Sequence, residues 1–402
     1  MAIELSNVIF TDQADIVPSS GVEQILNTGV ANTLAGNDRI TGSGNDYGFK
    51  NLGTLNTDDG NDTITGTATS SGGIGITIGF GSTLDTGKGD DQISGTGYLN
   101  NGFVNGGTFN TSDGNDKISG SGLISGFINA GTGTFNTSDG DDGIVGAGSH
   151  YGFVNVGAFS TDDGDDTITG ISRREGIIND SGSILDTGNG NDILIGNGSL
   201  GIRNDGTIIT GNGKDSIISS GIFINRGVVF LEDGNDSIAN SNSNFDNFNF
   251  IGTGDGDDTI TTASVIYNEG VINTGNGNDS IIANASIYNN RGSINTGDGN
   301  DSIIANEGFR SGLNSSGSVF LGEGEDSIKG FGSGDFYGGN GNDTLELTPG
   351  TYTVGIWGEG GESPIFTKGN QLMITSEFEK LKAGSTIYDF TSLTADQIII
   401  VA

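Results

Sequence analysis

The 402-residue chain contains no cysteine and only one histidine. Without cysteine it forms no disulfides, no thiolate metal sites and no cysteine nucleophile, and one histidine excludes histidine-rich zinc or copper sites. Basic residues are also scarce, because 15 Lys and Arg stand against 51 Asp and Glu, a formal net charge of −36. This charge opposes binding to nucleic acid or anionic membranes, and it favours cations. No apolar run approaches the ~20 residues of a membrane-spanning helix, so no membrane span is expected.

Glycine is abundant, with 75 residues, and it recurs in a fixed pattern. The five-residue pattern Gly-x-Asp-x-Ile/Leu occurs 14 times, and the residue before the aspartate is nearly always Asn or Asp. From Asp38 to Asp343 the chain advances 305 residues in 13 intervals, so the repeat averages about 23.5 residues. A period of this length indicates a solenoid. The aspartates of the 14 copies are Asp38, Asp62, Asp91, Asp116, Asp142, Asp166, Asp192, Asp215, Asp236, Asp258, Asp279, Asp301, Asp326 and Asp343.

Each repeat has room for about three short strands separated by Gly/Asn/Asp turns, and it shows no helical periodicity. One coil cannot bury its own apolar side, but coils stacked ~4.8 Å apart pair every strand with the coils above and below. The sequence therefore predicts an all-β parallel β-helix or β-roll solenoid of about 13–14 coils, capped at both ends. We expect an N-terminal cap at 1–32, the solenoid at 33–347 and a C-terminal cap at 348–402, with Trp357 packed in a core.

Further columns of side chains are expected inside the solenoid. The repeated Ile or Leu and the recurring phenylalanines should form apolar columns, the latter comprising Phe49, Phe103, Phe127, Phe153, Phe109, Phe135 and Phe159. An asparagine also recurs between successive motifs, in a pattern Asn-x-Gly, and we interpret it as an amide ladder that bonds coil to coil. Its members in that pattern are Asn51, Asn155, Asn204, Asn225, Asn268 and Asn290.

The segment Gly338–Glu346, Gly-Gly-Asn-Gly-Asn-Asp-Thr-Leu-Glu, matches the haemolysin-type nonapeptide G-G-x-G-x-D-x-U-x. The chain thus resembles the RTX (repeats in toxin) family, over about nine residues in each of 14 coils. In most copies Thr replaces the first glycine, and in several copies the second is lost as well, as at Asp58, Ser112, Ser138 and Asp162. The resemblance implies a β-roll or β-helix in which the turns bind Ca²⁺ and the apolar residue points inward. With one nonapeptide per coil, we expect one row of sites along one edge, at the 14 aspartates.

The chemistry of the residues also favours calcium. Ca²⁺ takes 6–8 oxygen ligands from carboxylates, carbonyls and water, whereas Mg²⁺ demands octahedral geometry and retains its waters. A column of aspartates ~4.8 Å apart would repel itself without cations, so calcium binding should be coupled to folding. The alternative is that Asp-Gly and Asn-Gly are only turn residues. Turn preference does not explain why aspartate, rather than asparagine, occupies one position in all 14 copies.

These features predict a secreted, calcium-binding structural solenoid with a role in a surface layer, adhesion or extracellular matrix. Its expected partners are calcium ions and a cell-surface polysaccharide or another surface protein. By the resemblance, the chain would leave the cell without an N-terminal signal peptide, through a type I system that reads the C-terminal region. The alternative is a polysaccharide lyase, hydrolase or epimerase, with Arg173, Arg174, Arg203, Arg226 and Arg291 along one face. A third hypothesis is ice binding by threonines such as Thr65 and Thr169, whose rows the sequence does not show to continue from coil to coil.

Overall fold

The computed structural model describes residues 2–18, 23–311, 316–357 and 363–402. The chain divides into two compact units, Met1–Gly221 and Ile222–Ala402. The described residues form strands and turns, with no α-helix, and their only helical segments are two 3₁₀ turns at Leu5–Asn7 and Phe390–Ser392. No helix among them is long and apolar enough to cross a membrane.

The first unit contains three parallel sheets, which we name I, II and III in the order in which a coil passes through them. Its sheet I contains Ala2–Glu4, Gln24–Asn27, Tyr47–Asn51, Ile74–Ile78, Phe103–Asn105, Ser125–Asn129, Tyr151–Asn155, Glu175–Asn179 and Leu200–Asn204. Its sheet II contains Val30–Asn32, Thr54–Asn56, Thr83–Asp85, Thr108–Asn110, Thr134–Asn136, Ala158–Ser160, Ile184–Asp186 and Thr207–Ile209. Its sheet III contains Ile16–Val17, Arg39–Gly44, Thr63–Ala68, Gln92–Thr96, Lys117–Gly122, Gly143–Gly148, Thr167–Ile171, Ile193–Asn197 and Ser216–Ser219.

The second unit repeats this arrangement and ends in antiparallel strands. Sheet I there contains Ile222–Asn225, Phe245–Asn247, Ile266–Asn268, Ile287–Asn289 and Phe309–Arg310. Sheet II contains Val228–Phe230, Phe250–Gly252, Val271–Asn273, Ser293–Asp298, Ser318–Gly324, Gly334–Gly341, Gly350–Trp357, Ser363–Lys368, Gln371–Ser376 and Ile398–Val401. Sheet III contains Ser237–Asn240, Thr259–Thr262, Ser280–Ala283, Ser302–Ala305, Ser327–Lys329, Thr344–Leu347, Lys380–Ala383 and Thr386–Asp389.

Within each unit the coils are in register at the repeated motif. Ile93 pairs with Ile118 and Ile118 with Ile144, so the apolar residue of the motif forms a buried column. Successive residues of a strand alternate between the interior and the outer face, as the period of a strand requires. The all-β parallel solenoid of about 13 turns predicted from the repeat is thereby confirmed.

Phenylalanine fills the interior of the first unit. Phe103 stacks on Phe127 with ring centroids 4.9 Å apart, and Phe135 stacks on Phe159 at 4.3 Å. The two columns touch edge to face, with 5.4 Å between the centroids of Phe127 and Phe135. Rings one coil apart thus stack along the axis, and this packing explains how a chain with 32% hydrophobic residues forms a dry core.

The predicted amide ladder runs inside both units, where its members are buried. In the first unit Asn105 donates to Asn129 and Asn129 to Asn155, each bond 2.9 Å long. In the second unit Asn268 donates to Asn289, not to the predicted Asn290, because one extra residue shifts the motif there. The ladder confirms the coil-to-coil interpretation and assigns these asparagines a structural role.

The C-terminal residues form hairpins next to the last coil. Gly350–Trp357 pairs antiparallel with Ser363–Lys368, which pairs antiparallel with Gln371–Ser376. The expectation that Trp357 is a core residue is wrong, because its side chain is 64% exposed. Trp357 is the last residue of its strand. The alternation of buried and less buried residues that places Tyr352 and Val354 in the core does not continue to Trp357.

The outer face of sheet II carries a threonine row that the sequence pattern did not reveal. Thr54 pairs with Thr83, Thr83 with Thr108, and Thr108 with Thr134. The threonines suspected from the sequence lie instead on sheet III, where Thr65 continues as Ser94, Ser119 and Val145. The second row is therefore broken, whereas the first is maintained over four coils.

Candidate metal sites

A six-residue turn connects sheet II to sheet III in most repeated coils, and the motif aspartate is its last residue; in three coils of the second unit the sheet II strand extends into these six residues. In the coil of Phe109 the turn runs from Thr111 to Asp116. The second residue, Ser112, has φ +60° and the fourth, Gly114, has φ +153°. An asparagine before the turn supports this conformation, since Oδ1 of Asn110 accepts the N–H of Ser112.

The 14 motif aspartates, which we call the aspartate row, are all buried, with 0–2% of their surface exposed. Within the two units, Oδ1 of twelve of them accepts a hydrogen bond from the main-chain N–H of the motif aspartate one coil earlier. Oδ1 of Asp116 accepts the main-chain N–H of Asp91, and Oδ1 of Asp142 accepts that of Asp116, both at 2.7 Å. The same bond, at 2.7–2.9 Å, occurs along the row within each unit.

The second carboxylate oxygen is buried and has no hydrogen-bond partner among the described residues. This holds for Oδ2 of twelve aspartates, namely Asp38, Asp62, Asp91, Asp116, Asp142, Asp166, Asp192, Asp258, Asp279, Asp301, Asp326 and Asp343. A buried, unpaired carboxylate oxygen is costly. Coordination of a cation would satisfy such an atom.

Burial of the row raises the pKa of these carboxyl groups. The pKa rises to about 6 for Asp116, about 7 for Asp166 and about 8 for Asp142. Burial is the main cause, and the nearby threonine side chain and the main-chain N–H bonded to Oδ1 offset part of it. For Asp142 the charges of Asp116 and Asp166 raise the pKa further. Without a bound cation, the row therefore resists ionisation near neutral pH.

The Asn or Asp before most of the motif aspartates forms a second ladder, which the sequence analysis did not identify. Oδ1 of Asn115 accepts the N–H of Asp141, and Oδ1 of Asp141 accepts that of Asp165, both at 3.0 Å. These acceptors bond to the following coil, whereas the aspartate row bonds to the preceding coil. An exposed Asn or Asp serves equally well here, so the recurring Asn/Asp at this position is explained by hydrogen bonding alone.

The coils approach each other closely at the turn glycines. A Cβ atom at Gly140, where φ is +145°, would lie 2.0 Å from the carbonyl oxygen of Gly114 in the preceding coil. Close approach persists where the second glycine of the motif is missing, because Asp58, Ser112 and Asp162 adopt φ of +57 to +60°. Ser138 does the same at +61°. The residues that replace glycine thus adopt the left-handed backbone conformation themselves, and the turn does not open.

The donor set between successive coils consists of oxygen atoms. Among the described residues, no group of three or more His, Cys, Asp or Glu side chains is placed to hold a metal ion. An ion between two turns would therefore take at most two carboxylates and complete its shell with main-chain carbonyls and water. That set fits Ca²⁺, which accepts 6–8 such oxygens with flexible geometry, better than Mg²⁺ or a transition metal.

The arginines considered for an enzyme site lie apart from this row. Arg203, on the outer face of sheet I, contacts Glu175 at 3.2 Å and Asp205 at 2.6 Å. Its guanidinium is thus engaged by two carboxylates of its own unit.

No protein-family model matches the sequence, and no curated protein matches it. Among solved structures, the chain is similar to a hyperactive, Ca²⁺-dependent, β-helical antifreeze protein from an Antarctic bacterium. The identity is 18%, the alignment covers 98% of this chain and 95% of that one, and the TM-score is 0.46. A likeness at this level does not bear on binding or activity, so the inference of function depends on the residues of the chain itself.

Proposed function

We propose that this chain is a calcium-binding structural β-solenoid, with one cation between successive turns, whose folding depends on calcium. The observation that carries the proposal is the buried Oδ2, without a hydrogen-bond partner among the described residues, in the twelve aspartates named above. Asparagine would accept the same N–H through Oδ1, and the chain uses asparagine freely in its other ladders. A carboxylate is required only if the second oxygen has a cation to bind.

The charge of the chain supports the same proposal. One Ca²⁺ in each of the 13 intervals between the 14 aspartates would add 26 positive charges to a net charge of −36, leaving about −10. The RTX resemblance extends the proposal to an extracellular or cell-surface location. We infer a scaffold or adhesion role there, towards a surface polysaccharide or another surface protein.

Asp142→Asn tests the role of the second oxygen. The variant keeps the Oδ1 acceptor for Asp116 but removes the charge, so we expect weaker calcium binding and a smaller rise in melting temperature on calcium addition. Isothermal titration and far-UV circular dichroism measure the two effects. The matched control is Asp141→Asn, because Asp141 is the exposed neighbour with the same kind of main-chain hydrogen bond. Equal calcium binding by the two variants would refute the proposal.

The threonine row of sheet II favours ice or crystal-surface binding as a second candidate function. Thr54, Thr83, Thr108 and Thr134 repeat a hydroxyl and a methyl group from strand to strand, ~4.8 Å apart. Three of the four are exposed and Thr83 is half-buried. A fixed array of this kind can order water at a regular spacing.

Thr108→Tyr tests this second candidate. We expect the calcium-loaded protein to show thermal hysteresis, and the bulky side chain to remove most of it by interrupting the row. Ser119→Tyr is the control, because Ser119 lies on the outer face of sheet III in the same coil. Absence of hysteresis in the unmodified protein, or an equal loss in both variants, would exclude ice binding through this face.

A further inference from the structure

The C-terminal segment continues the aspartate row with a glutamate. Tyr337 pairs with Ser376 in sheet II, and Thr344 pairs with Lys380 in sheet III. The three residues Glu377 to Glu379 therefore take the place of six residues, 338–343, of the coil before. Glu379 immediately precedes its sheet III strand, as Asp343 does in its own coil.

Glu379 makes the hydrogen bond that defines the row. Its Oε2 accepts the main-chain N–H of Asp343 at 2.7 Å, just as Oδ1 of Asp343 accepts that of Asp326 at 2.9 Å. The extra methylene of glutamate compensates for the shorter turn. The sequence signal is Glu-Lys-Leu at 379–381, an acid–x–apolar triplet that lacks the glycine of the repeat.

The main chain of this segment also reproduces the turn. Glu377 has φ +61°, as the second residue of the six-residue turns does. A Cβ atom at Gly338 would lie 1.9 Å from the carbonyl oxygen of Glu377 and 2.9 Å from Oδ2 of Asp343. The carbonyl and the carboxylate oxygen therefore converge on the space that a side chain at 338 would fill.

The carboxylate that faces this space has no partner of its own. Asp343 is fully buried, and its Oδ2 forms no hydrogen bond with the described residues. Burial is the main cause of the raised pKa of Asp343, and the negative charges of Glu379, Glu325 and Glu377 raise it further. Lys382, on the adjoining strand, is 2.7 Å from Glu346 and is paired there.

We propose that Asp343, Glu379 and the main-chain carbonyl of Glu377 hold one additional calcium-class cation, which fixes the C-terminal hairpins to the last coil. This proposal rests on the proposed function, since it extends the same row. It also makes docking of the C-terminal segment dependent on a cation.

Hydrogen exchange of the full chain, followed by mass spectrometry during a calcium titration, tests this site. At calcium tenfold above its Kd, exchange in residues 371–383 should be about tenfold slower than in Glu379→Gln. The glutamine keeps an acceptor for Asp343, and residues 258–301 should stay protected in the variant. The control is Asp389→Asn, which removes an exposed carboxylate from the strand that pairs with Lys380–Ala383 and should behave like the unmodified protein.

The outcomes separate the two proposals. Equal calcium-dependent protection of 371–383 in Glu379→Gln and in the unmodified protein would overturn the additional site. In the unmodified protein, calcium protection of 258–301 without protection of 371–383 would overturn it irrespective of how the variant folds. If calcium protects neither region, the proposed function itself fails.

Discussion

Removal of divalent cations at pH 8 is expected to abolish most of the β-structure of this chain. Every coil buries an aspartate, and the carboxylates of adjacent coils then repel each other without compensation. Far-UV circular dichroism of metal-stripped protein should show an unfolded or expanded chain. Calcium should restore the strand signal, and Mg²⁺ at equal concentration should not.

An unchanged β signal after stripping would contradict this expectation, provided that elemental analysis shows the calcium to be gone. The turn preference of aspartate would then be the remaining explanation of the aspartate row. The polysaccharide-acting enzyme would become the hypothesis to test next.

The pH dependence of the stripped protein follows from the raised pKa values of the row. Between the ordinary aspartate pKa of 3.8 and the folded values of about 6 to about 8, the folded state binds more protons than the unfolded state. The free energy of unfolding therefore falls as the pH rises through this window. Stripped protein should be more folded at pH 5 than at pH 8.

Calcium reverses this trend, because protons compete with the cation for the same carboxylates. With calcium present, the melting temperature should rise between pH 5 and pH 8. Melting curves at several pH values, with and without calcium, give both slopes. The same sign of slope in the two series would show that the row does not bind the cation.

Gly140→Ala is expected to cause a large loss of stability even when calcium is saturating. The residue has φ +145°, which L-residues rarely adopt, and the new Cβ would lie 2.0 Å from the carbonyl oxygen of Gly114. The carbonyl oxygen belongs to the main chain and the Cβ atom is bonded directly to it. Neither atom can move by itself, so the two coils must separate locally. We expect a decrease of about 2–5 kcal/mol in the free energy of unfolding.

Gly143→Ala is the matched control, three residues further along the same coil. The nearest atom to its Cβ would be the carbonyl oxygen of Asp116 at 3.8 Å, an ordinary contact. Chemical denaturation at constant calcium compares the two variants. Similar losses in both would mean that the close approach of the turns is not what holds the coils together.

The repeat period and the residue chemistry were sufficient to predict the coil architecture. An isoleucine or leucine that recurs every 17–29 residues is removed from water most readily when the coils stack. The asparagine ladder was predictable for the same reason, because a buried amide must bond to its equivalent in the next coil. The shift from Asn290 to Asn289 was not predictable, since one inserted residue changes the register without changing the composition.

The sequence by itself determined the position of the aspartate row, because only a position under one repeated constraint keeps one residue type in 14 coils. Tertiary structure decided what each oxygen of those aspartates does. Oδ1 accepts a hydrogen bond from a main-chain N–H of the neighbouring coil, whereas Oδ2 is buried. Both outcomes depend on the spacing and register of the stacked turns. The same dependence explains why Glu379 was missed. Its place in the row is set by strand pairing with Thr344–Leu347 and not by any repeat in the chain.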